Sequence, residues 1–185
     1  QNVGSKVIMA MTLITTNTSS NAASSSFTSS IDSTYKLFIF KFFDVNPATD
    51  AAYFQFQGST DTGSSYGVTK TTTWLGYQHG EAGDSAQLVY EVEQDLAQAT
   101  TAQMLSRQTG NESDECCAGT LWLFNPSNTT YVKHFYATTN NSYYTPYFLG
   151  GRIGGYFNTT SAIDAMQFTM STGNMDAVIK MYGVG

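Results

Sequence analysis

Apolar and polar residues alternate with a period of two along most of this chain, a pattern that predicts strands rather than helices. It is densest in Tyr35-Lys36-Leu37-Phe38-Ile39-Phe40-Lys41-Phe42-Phe43. There Tyr35, Leu37, Ile39 and Phe43 fall on one side of an extended strand and Phe38, Phe40 and Phe42 on the other. A sandwich strand normally hides one face in the core and shows a polar face to water. This one has two apolar faces, so the second needs a covering loop, a flanking helix or another subunit.

Punctuation by Gly, Pro, Asn, Asp and Ser divides the rest into further short strands. Ser19 to Ser30 reads as an edge strand or a flexible connection, and Asn46-Pro47-Ala48-Thr49-Asp50 ends the aromatic strand. Tyr53 to Gln57 and the Thr-rich Val68 to Tyr77 are strands, with Lys70, Thr72 and Trp74 on one face of the latter. Leu88 to Leu105 mixes both periods and is best read as a strand followed by an irregular or briefly helical crossing. Thr120 to Phe124 and Thr129 to Thr138 form a hairpin about Asn125-Pro126-Ser127-Asn128. Paired glycines at Gly150-Gly151 and Gly154-Gly155 mark a bend or a close approach of backbone. Ile163 to Thr169 and Ala177 to Tyr182 read as a last hairpin about Ser171-Thr172-Gly173-Asn174. Many short strands joined by polar turns give an all-β fold, an antiparallel β-sandwich of jelly-roll type. It forms one domain over 9–185, preceded by an N-terminal extension or arm over 1–8.

Composition narrows the possible functions. The formal net charge is -6, from 8 basic and 14 acidic residues, and no basic cluster occurs, which argues against nucleic acid. Charged residues make up 12% of the chain, about half the usual share, so the surface is one of hydroxyls, amides and glycine. No apolar run approaches the length of a membrane span. Adjacent Cys116 and Cys117 suit neither tetrahedral metal coordination nor an ordinary disulfide and read as two reduced thiols.

Catalytic constellations are missing from the sequence. His134 sits within a strand and His79 in an acidic loop with Glu81 and Asp84. Glu91, Glu93 and Asp95 alternate as a hydrated face would, and Asp44 and Asp50 only loosely resemble a calcium loop. The expectation is therefore no catalytic residue, no cofactor and no metal. The stronger signal is aromatic. Tyr131, Tyr143, Tyr144 and Tyr147 stand among many rings in the last third of the chain and suit a protein interface or a sugar-stacking platform.

Several ordered motifs extend this reading. Met9-Ala10-Met11-Thr12-Leu13-Ile14, Ser30-Ile31-Asp32-Ser33-Thr34-Tyr35-Lys36, Asn46-Pro47-Ala48-Thr49-Asp50, Phe56-Gln57-Gly58-Ser59, Val68-Thr69-Lys70-Thr71-Thr72-Thr73, Phe124-Asn125-Pro126-Ser127, Thr130-Tyr131-Val132-Lys133-His134-Phe135, Gly155-Tyr156-Phe157-Asn158-Thr159-Thr160-Ser161-Ala162-Ile163 and Ile179-Lys180-Met181-Tyr182-Gly183 follow one another to the C-terminus. Together they resemble a family of virion structural proteins of marine bacteriophages, cyanophages included. The resemblance implies a non-enzymatic particle component made in the bacterial cytoplasm and residing in the virion. A capsid decoration or cement protein is the leading form; a tail fibre, tail adaptor or glycan-binding receptor module is the alternative. Its expected partners are other virion proteins, major capsid or tail; the doubly apolar strand Tyr35 to Phe43 and the Tyr-rich last third add further copies of itself, a trimer being favoured. A surface glycan is a further candidate, and nucleic acid and membrane are not expected. The candidate interface comprises Tyr35, Phe38, Phe40, Phe42, Tyr131, Tyr143, Tyr144 and Tyr147.

Overall fold

The computed structural model describes residues 10–185, so the expected arm over 1–8 lies outside the described residues. Thirteen strands follow in order: β1 Met11–Ala22, β2 Ser24–Phe27, β3 Leu37–Pro47, β4 Ala52–Ser59, β5 Lys70–Gly80, β6 Gln87–Tyr90, β7 Leu96–Ala99, β8 Gln103–Thr109, β9 Cys117–Phe124, β10 Lys133–Ser142, β11 Tyr147–Phe157, β12 Ala165–Met170 and β13 Met175–Val184. A single 3-10 turn, Val92–Gln94, separates β6 from β7. All strand pairs are antiparallel. They form a nine-stranded sheet in the order β1-β13-β3-β9-β10-β11-β5-β6, with β7 also on β5, and a four-stranded sheet in the order β2-β12-β4-β8. The chain is thus an antiparallel β-sandwich, as the alternation predicts. Crossing from sheet to sheet, it leaves the first strand beside the last in the larger sheet and β2 beside β12 in the smaller.

Large apolar side chains from both inner faces fill the space between the sheets. Phe38, Phe40 and Phe42 of β3 are 0, 0 and 2% exposed and point inward. Phe42 meets Phe54 at 5.1 Å and Phe168 at 5.2 Å between ring centroids, both edge-to-face, and Phe40 meets Phe168 at 5.4 Å. This corrects the expected interface, since these three phenylalanines belong to the intramolecular core. The strand does have two apolar faces. The alternation by itself does not say which of them the second sheet covers.

The expected last hairpin is also corrected. β12 pairs with β2 and β4, whereas β13 pairs with β1 and β3, so Ser171–Asn174 is an arch between sheets and not a hairpin turn. Met166 and Phe168 on β12 and Ile179 and Met181 on β13 are all buried in the core between the two sheets. Two neighbouring half-apolar strands have the same periodicity whether they pair edge to edge or pack face to face. Over Leu88 to Leu105 the outcome is mostly extended, with β6, the 3-10 turn, β7 and the start of β8.

Polar side chains from the larger sheet seal both edges of the smaller one. Thr139 and Asn141 on β10 are buried, and they donate to the carbonyls of Leu105 at 2.6 Å and Arg107 at 3.0 Å on β8. On the opposite side the Asn17 amide of β1 donates to the Ser26 carbonyl of β2 at 2.9 Å. These contacts supply partners that a bare sheet edge lacks. Gly155 permits a similar closeness between β11 and β5, because a Cβ there would come within 2.5 Å of the Thr71 carbonyl oxygen.

Candidate assembly face

Viewed from outside, the nine-stranded sheet carries one continuous surface whose rows follow from strand register. Leu13 of β1, Tyr182 of β13, Ile39 of β3, Trp122 of β9 and Tyr136 of β10 are successive cross-strand partners. Trp122 and Tyr136 stack with centroids 4.4 Å apart and 15° between planes, and Phe124 also stacks with Tyr136 at 5.9 Å. Ile39 is only 8% exposed because Tyr182 and Trp122 flank it, yet Leu13, Phe124 and Tyr136 remain 50, 39 and 42% exposed. This is the second apolar face of the aromatic strand. Among the described residues no loop or helix covers it.

A cationic row lies next to the aromatic one. Lys180 of β13 pairs across to Lys41 of β3, then Thr120, Thr138 and Arg152 continue the row over β9, β10 and β11. Lys41 Nζ lies 5.8 Å from the centroid of the Tyr182 ring, and Lys180 Nζ lies 5.3 Å from that of Phe43. The carboxylates of the face, Asp44 and Asp176, stand apart toward the Pro47 end of β3, where Asp176 accepts from the Asn21 backbone N–H at 2.6 Å. A chain of net charge -6 therefore presents three cations beside its exposed aromatic rings.

The predicted interface tyrosines do not form one patch. Tyr35 is half-buried against Phe38 and lies over Gly183, where a Cβ would come within 2.2 Å of its ring. Tyr131 is 71% exposed and borders a groove of about 560 Å³ lined by Phe124, Asn125, Thr130, Val132, His134 and Thr160. Tyr143, Tyr144 and Tyr147 cluster at the other end of β10. Tyr143 meets Tyr144 at 4.7 Å and Tyr147 at 6.0 Å, its hydroxyl donates to Gln108, and Arg107 lies over its ring at 5.8 Å. The residues that the sequence reading missed are Trp122, Tyr136 and Phe124. Their signal was present as outward positions alternating with inward Leu121, Leu123 and Phe135.

The titratable groups are dispersed. No group of three or more His, Cys, Asp or Glu able to hold a metal occurs among the described residues. His79 lies opposite Phe148 at the end of β5, and His134 packs beside Tyr156 at 5.8 Å. Glu91 pairs with Arg107 at 2.6 Å, and Asp95 accepts from the Trp74 backbone N–H at 2.7 Å and from the Tyr90 hydroxyl at 2.6 Å. Cys116 and Cys117 are free thiols; burial pushes that of Cys117 up to about 12.

Two lysines are buried at one end of the core. Lys70 of β5 and Lys133 of β10 flank Phe157 of β11 in register. Lys70 Nζ donates to the Val68 carbonyl at 3.0 Å, and Lys133 Nζ to those of Tyr131 and Thr159 at 2.9 and 3.0 Å. Burial lowers the ammonium of Lys70 to about 8 and moves that of Lys133 in the same direction. Both cap carbonyl groups at strand ends.

No protein-family model matches the chain, and no match is found among curated proteins or solved structures.

Proposed function

We propose that this protein is a bacteriophage virion structural protein without enzymatic activity, a capsid decoration or cement subunit that attaches through the outer face of its larger sheet. The observation that carries the reading is the apolar row of half-exposed Tyr182 and Trp122 and exposed Tyr136 about Ile39, with exposed Phe124 beside it, next to the cations Lys180, Lys41 and Arg152. An exposed apolar patch rimmed by charge is the signature of a protein contact, and the sign of this rim suits an acidic protein surface on the particle. The strand order supports the same reading. Setting β5 to β7, β10 and β11 aside as additions leaves β1-β13-β3-β9 against β2-β12-β4-β8, which we read as the nested order of a jelly roll, an architecture common in viral capsids.

Protein contact fits the rings better than sugar stacking does. Tyr136 is already stacked with Trp122 and with Phe124, so its ring faces are engaged within the chain and less free to receive a sugar. The glycan-binding alternative rests on the groove beside Tyr131 and His134. Quantitative mass spectrometry of purified particles tests the proposal: a decoration protein is present in hundreds of copies, a receptor module in a few tens at most. Absence from the particle would overturn it.

A further inference from the structure

We infer that β1 pairs with β1 of a second copy, joining two nine-stranded sheets edge to edge across a two-fold axis. Of the four edges in the sandwich, two are bridged to the larger sheet by side chains, at β2, itself four residues long, by Asn17 and at β8 by Thr139 and Asn141. The third is formed by β6 and β7, four residues each, which is one of the ways natural sheets blunt an edge. The fourth is β1. It is twelve residues long, Met11-Thr12-Leu13-Ile14-Thr15-Thr16-Asn17-Thr18-Ser19-Ser20-Asn21-Ala22, with no charge and no proline. Among the described residues it pairs with β13 alone.

Such an edge presents free N–H and C=O groups with none of the devices that prevent strand addition except irregular register. Register shifts fall between Leu13 and Thr15 and between Ser19 and Ala22, leaving Thr15 to Ser19 as a regular run. The centre of that run is Asn17, which sets the two-fold axis and places Thr16 of one copy opposite Thr18 of the other. Both side chains are exposed on the outer face. Beside the run, a groove of about 580 Å³ lined by Thr16 to Ser20, Ala22 and Ser24 to Ser26 leaves room for the small side chains of an incoming strand.

A second copy fits this edge better than an unrelated chain. A neutral edge lets two molecules of net charge -6 meet without like charges in the contact, and the Thr15 to Ser19 run is neutral and self-complementary in its hydroxyl groups. The pair also continues the outer face, with Leu13 of one copy level with Asn21 of the other, so that the two aromatic rows lie at opposite ends of the joined run. An isologous contact closes at two copies, so the expected unit is a dimer and not the trimer that the sequence suggests. The paired run spans only about 17 Å, which puts the contact at the small end of specific interfaces and makes the dimer concentration-dependent.

The inference stands whether or not the protein belongs to a virion, and purified full-length chain tests it. Sedimentation equilibrium from about 1 to 300 µM should show a monomer–dimer equilibrium. In Thr16→Lys/Thr18→Lys the introduced lysines oppose each other across the axis, and dimerisation should weaken at least ten-fold, while the melt of the monomer at about 1 µM falls by no more than the small cost of placing a lysine at position 16 opposite Lys180 within one copy. In Thr16→Lys/Thr18→Glu the opposed pairs carry opposite signs, and the dimer should return. A monomer at every concentration, a trimer, or a dimer indifferent to these charges would overturn the inference. So would a dimer lost only on deletion of residues 1–9, which would place the contact in the N-terminal segment.

Discussion

Truncating Phe168 tests the core more sharply than any other single change. Its ring, 0% exposed, touches Phe27, Phe40, Phe42 and Phe54, with centroids between 5.2 and 6.1 Å away. Those four rings come from β2, β3 and β4, so they belong to both sheets and cannot collapse together into the vacated volume without moving one sheet against the other. Phe→Ala in a core costs about 3 to 5 kcal/mol, the upper figure applying where the site relaxes least. Phe168→Ala should therefore lose about 5 kcal/mol and lower Tm by roughly 10 to 20 °C for a domain of this length. Urea unfolding followed by tryptophan fluorescence measures it, with an unchanged slope showing that only stability has moved. Phe43→Ala is the control: this ring is 38% exposed under Lys180 and should cost no more than about 1 kcal/mol. A loss below about 2 kcal/mol at Phe168, or equal losses at both positions, would refute the assignment of inner and outer faces.

Three further changes probe other parts of the molecule. Burial lowers Lys70 from 10.5 to about 8, so the folded chain releases this proton before the unfolded chain does, and stability should rise as pH increases from about 8 to about 10.5. Lys70→Met removes a charging cost of roughly 3 kcal/mol and leaves one carbonyl unpaired at about 1 kcal/mol, for a net gain of about 2 kcal/mol at pH 7 and a flatter pH profile; unchanged stability across that window would contradict the burial argument. A double-mutant cycle of Trp122→Ala and Tyr136→Ala should give a coupling of about 0.5 to 1.5 kcal/mol, the worth of one stacked pair, and strict additivity would deny the stack. Ellman's reagent should reach Cys117 only on unfolding, whereas rapid reaction of both thiols in the native protein would place Cys117 outside the core.

Strand positions were readable because each buried strand alternates cleanly, as Phe54 and Phe56 do against Gln55 and Gln57. The choice of face was not. In β3 both sets of side chains are apolar, and only the packing of β4 and β12 against Phe38, Phe40 and Phe42 decides which is core. For the same reason the candidate interface placed those three rings outside and passed over Trp122 and Tyr136, whose exposure depends on β9 and β10 being central strands with their outer face uncovered. The partner of β13 was equally illegible, since a short polar turn such as Ser171–Asn174 joins two strands within a sheet or across a sandwich with the same residues. Closure of β8 by Thr139 and Asn141 requires knowing that two strands distant in sequence meet at an edge. Alternation places their side chains inward but does not name the carbonyls that they satisfy.

Hydroxyl-radical footprinting of the free chain and of the chain on purified particles tests the assembly face most directly. Tyr136, Phe124 and Leu13 label readily in the free protein because all three are exposed. On the particle their labelling should fall by about ten-fold, while Tyr144, 41% exposed beyond the far end of β10, should change little. Undiminished labelling of Tyr136 and Phe124 in the assembled particle would contradict the claim that the protein attaches through this face.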